Sequence, residues 1–250
     1  MRLTRRLLVL AFASALPWAA AAQQITVSAA ASLTDAFKAI GTQFEASKPG
    51  ATVRYNFAAS GVLLQQISQG APVDVFASAD QETMDRAANQ KLIEADTRKN
   101  FVSNSLVLVE PSQGGTGLKS LQDLEGPAVK KIAIGKTATV PVGRYTKEVL
   151  DNAKLWTTLE PKFVQADSVR QVLDYVSRGE AEAGFVYRTD AAIAGDKVKI
   201  ALTPTGHTPV TYPVSVIAES KEKALARAFV DYLSSDAAQQ TLARYGFGKP

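Results

Sequence analysis

The sequence predicts an α/β protein built on mainly parallel sheets. Three observations carry that expectation. Short apolar, β-branched runs alternate with longer helical patterns along almost the whole chain. Each run is short enough for a buried strand and is followed by a segment with helical spacing. Several of the helical segments open on small or hydroxylic residues directly after a strand, as strand–helix units do when a ligand lies beyond the carboxyl ends of the strands.

Taken in order, the expected strands are 25–29, 52–57, 73–77, 105–109, 131–134, 163–165, 184–187, 198–202 and 214–218. The helical patterns cover 33–46, 62–69, 81–89, 142–152, 169–178 and a short 191–194, and one long pattern, 222–245, closes the chain. Two segments read as loops: 111–120, with Gly114, Gly115 and Gly117, and 204–209, between two prolines. The first follows the strand 105–109 and the second precedes the strand 214–218. These strands are natural points for the chain to cross between two lobes. The expected division is residues 23–105 plus 216–250 in a first lobe and 106–215 in a second.

Residues 1–22 stand apart. Arg2, Arg5 and Arg6 precede an apolar stretch from Leu7 to Leu16, and Ala20 and Ala22 form an A-x-A pattern before Gln23. This is the layout of a cleaved secretory signal. A spanning helix needs roughly 20 apolar residues, and Pro17 interrupts this stretch. The chain carries 28 Lys+Arg and 24 Asp+Glu, a net charge of +4. Without the three leader arginines the balance is 25 to 24, or +1. That near-neutrality, with no basic stripe, argues against a nucleic-acid partner. The absence of cysteine excludes disulfides, thiolate nucleophiles and Cys-ligated metal sites. An exported chain without disulfides suits a bacterial periplasm.

Four helix starts carry the chemistry. Ala31 and Ser32 open the first, with Asp35 completing an S/T-x-x-D cap pattern. Ser60 and Gly61 open the second, where glycine permits close backbone approach. Pro141, Val142 and Gly143 open the third. Proline suits a first helical turn because no donor is lost there, which leaves the Val142 and Gly143 amides facing outward. Asp167 or Ser168 caps the fourth and frees the Val169 amide. Both serines have a plain alternative role as caps. Each helix start offers unpaired N–H groups and roughly half a positive charge. Four of them together match a doubly charged anion without any Lys or Arg in contact. A donor-only site favours a fully ionised guest, because a proton on the guest needs an acceptor.

Other motifs fall away. Gly135-Lys136-Thr137 resembles the end of a phosphate loop, but Lys130 stands where the motif requires glycine. His207 is the only histidine and lies in the 204–209 loop. A serine–histidine hydrolase would depend on it alone, and no G-x-S-x-G elbow is present. Asp74, Asp80, Glu82 and Asp85 read as a solvated helix start. The tyrosines, Tyr145, Tyr187 and Tyr212 among them, read as core residues.

At these motifs the sequence resembles the periplasmic molybdate-binding proteins of ABC transporters. The matching stretches are Ala30-Ala31-Ser32-Leu33-Thr34, Phe57-Ala58-Ala59-Ser60, Gly70-Ala71-Pro72-Val73-Asp74-Val75-Phe76, Ser78-Ala79-Asp80, Asn104-Ser105-Leu106-Val107, Val140-Pro141-Val142-Gly143-Arg144-Tyr145, Gly184-Phe185-Val186-Tyr187, Tyr212-Pro213-Val214 and Tyr245-Gly246-Phe247. The resemblance implies a two-lobed periplasmic-binding-protein-like fold of type II with a ligand cleft between the lobes. It implies molybdate or tungstate as ligand, no cofactor, no catalytic activity, a monomer, and an inner-membrane ABC permease as partner. It also implies the ligand set: the hydroxyls of Ser32 and Ser60, the amides of Val142 and Val169, and the hydroxyl of Tyr187, with Ala31 and Gly61 adding amides. The alternatives left open are the same fold binding sulfate or another oxyanion, iron capture, and a secreted hydrolase.

Overall fold

The computed structural model describes residues 23–250; the expected leader lies outside them. Two five-stranded sheets form, each flanked by helices. The first has the order β2-β1-β3-β10-β4, from β1 (Gln23–Ala30), β2 (Ala51–Ala58), β3 (Val75–Ala77), β4 (Lys99–Ser103) and β10 (Thr211–Val216). The second has the order β7-β6-β8-β5-β9, from β5 (Leu106–Pro111), β6 (Ile132–Gly135), β7 (Phe163–Ala166), β8 (Ala183–Tyr187) and β9 (Val198–Leu202).

The sheets share one plan. Each begins with three parallel strands, β2-β1-β3 and β7-β6-β8. Each then takes an antiparallel strand, β10 or β5, which pairs in turn with an antiparallel edge strand, β4 or β9. Half of the strand pairings are therefore antiparallel, against the expectation of mainly parallel sheets. Topology is the reason. A chain that leaves one sheet and returns to it enters β5 and β10 from the opposite direction to the strand–helix units.

The chain passes from the first sheet to the second between β4 and β5, and returns between β9 and β10. The backbone N–H of Asn104, in the first crossing, donates to the Val210 carbonyl in the second at 3.0 Å. All of β10 pairs within the first sheet, so the expected boundary at residue 215 falls inside a strand of that sheet.

The helices are α1 (Thr34–Ser47), α2 (Ser60–Ser68), α3 (Gln81–Asn89), α4 (Pro141–Asn152), α5 (Trp156–Leu159), α6 (Val169–Ser177), α7 (Arg188–Ala194), α8 (Lys223–Tyr232) and α9 (Asp236–Arg244). The long terminal helix expected over 222–245 is two helices. Ser235 breaks it: its side chain caps α9 by accepting from the Ala238 N–H, 3.3 Å away. Buried aromatics hold the closing helices to the first lobe. Phe229 of α8 meets Phe37 and Phe44 of α1 edge to face, an arrangement the ring quadrupoles favour. A smaller cluster under α2 and α3 contains Leu63, Leu64, Ile67, Phe76 and Met84. Among the described residues, no helix is long and apolar enough to cross a membrane.

Candidate functional site

The first wall of the cleft comes from the ends of β1 and β2. After Ala30 the chain makes a single 3-10 turn, Ala31–Leu33, before α1 begins. The expected cap does not form, because Leu33 occupies that position and no side chain caps α1. Ser32 is instead buried with its Oγ 3.0 Å from the Tyr212 hydroxyl. Ser60 opens α2 but does not cap it either. Its Oγ accepts the Ala79 N–H at 3.0 Å.

The opposite wall comes from the second sheet. Pro141 sets the first turn of α4, and Gly143 sits directly against the Gly135 carbonyl, where a β-carbon would collide. That contact seats the start of α4 on the end of β6. The N–H of Gly143, expected to face outward, turns back to the Val140 carbonyl at 3.0 Å. The Val142 amide makes no such bond, and a first-turn N–H has no acceptor within its own helix. Ser168 caps α6 as the sequence suggests, accepting from the Gln171 N–H at 3.2 Å. Val169 follows as the first helical residue and keeps its amide free. Tyr187 ends β8 and leads into α7.

These residues meet around one small cavity. Ser32, Ser60, Val142, Val169 and Tyr187 all line it, as does Ala31; Ala30, Ala59, Ala79, Val140 and Pro141 complete the surface. No charged side chain lines it. Gly61 does not belong to this lining. Its N–H donates across the cleft to the Thr139 carbonyl at 2.9 Å, so it joins the walls instead of facing a guest.

The Tyr187 hydroxyl is the most informative atom. It is fully buried and has no hydrogen-bond partner among the described residues. A buried hydroxyl without a partner costs about 1–3 kcal/mol, so its persistence calls for an explanation. Burial holds its proton well above the ordinary tyrosine range, with the neighbouring Tyr212 adding to the effect. It is therefore a donor at any physiological pH.

Two arginines from the second lobe reach across the cleft. Arg144 of α4 bonds Asp80 through Nε at 2.9 Å and Nη2 at 2.5 Å, and Thr83 Oγ1 at 2.8 Å. Arg170 of α6 pairs with Asp35 of α1 at 2.8 Å and with buried Asp190 at 2.7 Å. Burial raises Asp190 to about 6 despite the opposing pull of Arg170. Asp80 thus differs from the solvated helix-start residue expected of it. It is 4% exposed, caps α3 and carries an inter-lobe ion pair. The Ser78-Ala79-Asp80 and Gly143-Arg144 motifs hold the two partners, but nothing in their spacing shows that they meet.

The remaining features lie elsewhere. Lys136 pairs with Asp167 at the surface. His207 Nδ1 lies 2.7 Å from the Thr208 carbonyl. Among the described residues, no group of three or more His, Cys, Asp or Glu side chains could hold a metal ion. A larger cavity of about 500 Å³ is lined by Asp74, Glu219 and Glu222 together with Lys221, and none of the expected ligand residues belongs to it.

The comparisons with known proteins bear on the family and the fold. Residues 25–248 match the model of the family described as bacterial extracellular solute-binding protein. The molybdate-binding protein ModA of Escherichia coli is 42% identical over 234 residues, which cover 90% of this chain and 88% of that protein. ModA of Haemophilus influenzae is 35% identical, with 91% of each chain covered. Among solved structures, the periplasmic molybdate-binding protein of Azotobacter vinelandii superposes with a TM-score of 0.79 at 26% identity, over 90% of this chain and 99% of that one. With a two-lobed α/β fold, a cleft lined by helix starts and a family model spanning nearly all described residues, the chain belongs to the bacterial extracellular solute-binding proteins.

Proposed function

We propose that this protein is the periplasmic substrate-binding component of an ABC importer and captures molybdate, or tungstate, between its lobes. The observation that carries the reading is the unpartnered Tyr187 hydroxyl, buried in one cavity with Ser32, Ser60 and the free amides of Val142 and Val169. The three hydroxyls and two amides proposed as ligands are all neutral and can all donate. Hydrogen bonds from such donors to an ionised oxygen are stronger than bonds between neutral groups, and the surrounding alanines and valines keep water away. The identities to ModA proteins support molybdate as the guest.

The proposed ligands are the Ser32 and Ser60 hydroxyls, the Val142 and Val169 amides and the Tyr187 hydroxyl, with the Ala31 amide beside them. Donors from both lobes are satisfied together only when the lobes close, so the guest stabilises the closed form. A membrane permease then reads that form. The protein works as a monomer, with no cofactor and no metal beyond the molybdenum of the guest, and catalyses no reaction. Selection against sulfate rests on the size of the tetrahedron, because the donors are the same in kind. The leader 1–22 directs export to the periplasm.

Calorimetric titration of the mature protein with molybdate, tungstate, sulfate and phosphate tests the proposal. The expected result is one site per chain that binds molybdate and tungstate at least about 100-fold more tightly than the others, a gap of about 2.7 kcal/mol. Tighter binding of sulfate or phosphate contradicts it.

A further inference from the structure

The serine hydroxyls can serve a fully ionised guest only if their protons point into the cavity, and the structure contains groups that enforce this. Behind Ser32 lies Tyr212 of β10, fully buried, with its hydroxyl 3.0 Å from Ser32 Oγ. Behind Tyr212 lies Asn104, whose Nδ2 donates to the Tyr212 hydroxyl at 3.3 Å.

The direction of this chain is set at its far end. Asn104 Oδ1 accepts the Ser105 N–H at 2.9 Å, which fixes which way the amide faces. Its NH2 then donates to Thr189 Oγ1 at 2.9 Å and to Tyr212. An amide nitrogen only donates, so the Tyr212 oxygen accepts there and its single proton goes to Ser32 Oγ. Ser32 accepts from Tyr212, and its own proton turns toward the cavity. The reverse arrangement leaves the Tyr212 proton facing another donor. Ser60 is polarised in the same sense by a simpler device, the Ala79 N–H.

We propose that Tyr212, oriented by Asn104, is a positioning residue that turns the Ser32 proton into the cavity and thereby disfavours oxyanions that carry a proton. The inference rests on the oxyanion reading and deepens it. Singly protonated phosphate needs an acceptor in the site, and the relay instead aims the Ser32 proton at the guest oxygen beside it, where a second proton is repelled. Packing keeps Tyr212 in place, with its ring edge to face against Phe101, Tyr187 and Phe247. Asn104 lies in the first crossing and contacts both the second crossing and Thr189 of the second lobe.

The test is a double-mutant cycle on the mature protein, with molybdate as the probe and phosphate as competitor. Tyr212→Phe keeps the packing and removes the relay. It is expected to weaken molybdate binding about 5-fold, the scale of one modest hydrogen-bond effect, and to narrow the molybdate-to-phosphate ratio. In a Ser32→Ala background the same change is expected to cost less than about 2-fold, because Tyr212 acts only through Ser32. Asn104→Ala, which frees the Tyr212 hydroxyl to turn, gives a second cycle with the same expectation. Equal losses in both backgrounds, or full binding and unchanged selectivity in Tyr212→Phe, overturn the relay alone. Failure of the unmodified protein to bind molybdate overturns the oxyanion reading and the relay with it.

Discussion

Gly61 and Thr139 meet backbone to backbone across the cleft, with the Gly61 N–H donating to the Thr139 carbonyl at 2.9 Å. A β-carbon at position 61 would lie 2.7 Å from that oxygen and 2.8 Å from the Thr139 Cα. Both are backbone atoms and cannot swing aside. Gly61→Ala therefore obstructs the approach of the lobes without touching the core of either one. The expected outcome is nearly unchanged thermal stability and molybdate binding weakened about 10-fold or more, the cost of about 1.4 kcal/mol against closure. Titration and small-angle scattering check it; a variant that binds and compacts like the parent contradicts it.

Tyr187→Phe separates stability from binding. The hydroxyl has no partner among the described residues, so removing it relieves a desolvation cost. Stability is expected to hold or to rise by about 1 kcal/mol. Molybdate affinity is expected to fall about 10- to 100-fold, as when a hydrogen bond to a charged group is lost. Denaturant unfolding and calorimetry on the same sample give both numbers. Loss of stability with intact binding would assign Tyr187 to the core alone.

Arg144→Gln removes the ion pair with Asp80, whose side chain is 6% exposed. Asp80 keeps its cap on α3, while one clasp between the lobes is lost. Dissociation of molybdate is expected to quicken about 10-fold with little change in association, the usual pattern for an altered contact. Stopped-flow displacement measures both rates. An unchanged dissociation rate rules out a clasp at Arg144.

Asp190 makes stability depend on pH with an unusual sign. Its folded value is about 6 against an ordinary 3.8, so between these limits the folded state holds a proton that the unfolded chain has lost. That contribution is fully present below pH 3.8 and disappears as pH rises through 6. Across the window it amounts to roughly 3 kcal/mol. Compared with Asp190→Asn, the parent is expected to lose stability as pH rises from about 4 to 6.5. Melting curves for the two proteins across that range check the sign; parallel curves contradict it.

Sequence pattern carried much of this fold. Every expected strand is present, and the buried ones are the plainest, such as the apolar run Leu106–Val109 that opens β5. β4 escaped notice because Lys99-Asn100-Phe101-Val102-Ser103 offers only two apolar residues. The break at Ser235 was masked by helical spacing that continues on both sides of it. Strand direction was also hidden, since a strand buried on both faces reads alike in either sense.

At the site, the helix starts were legible, and their meeting was not. Sequence cannot say whether a serine turns back to cap its helix or forward to a guest. Ser168 does the first; Ser32 and Ser60 do neither of their expected capping bonds. Tyr212 was legible as a buried residue, but its bond to Ser32 joins positions 180 residues apart and leaves no local signal.

The central claim is that neutral donors from both lobes enclose one doubly charged oxyanion. Anomalous diffraction from crystals of the mature protein grown with tungstate tests it most directly. The account predicts a single strong peak in the cavity, within hydrogen-bond reach of Ser32, Ser60, Tyr187 and the Val142 and Val169 amides through the oxygens around it. A peak at any other place, or a filled cavity in which Tyr187 still lacks a partner, contradicts the account.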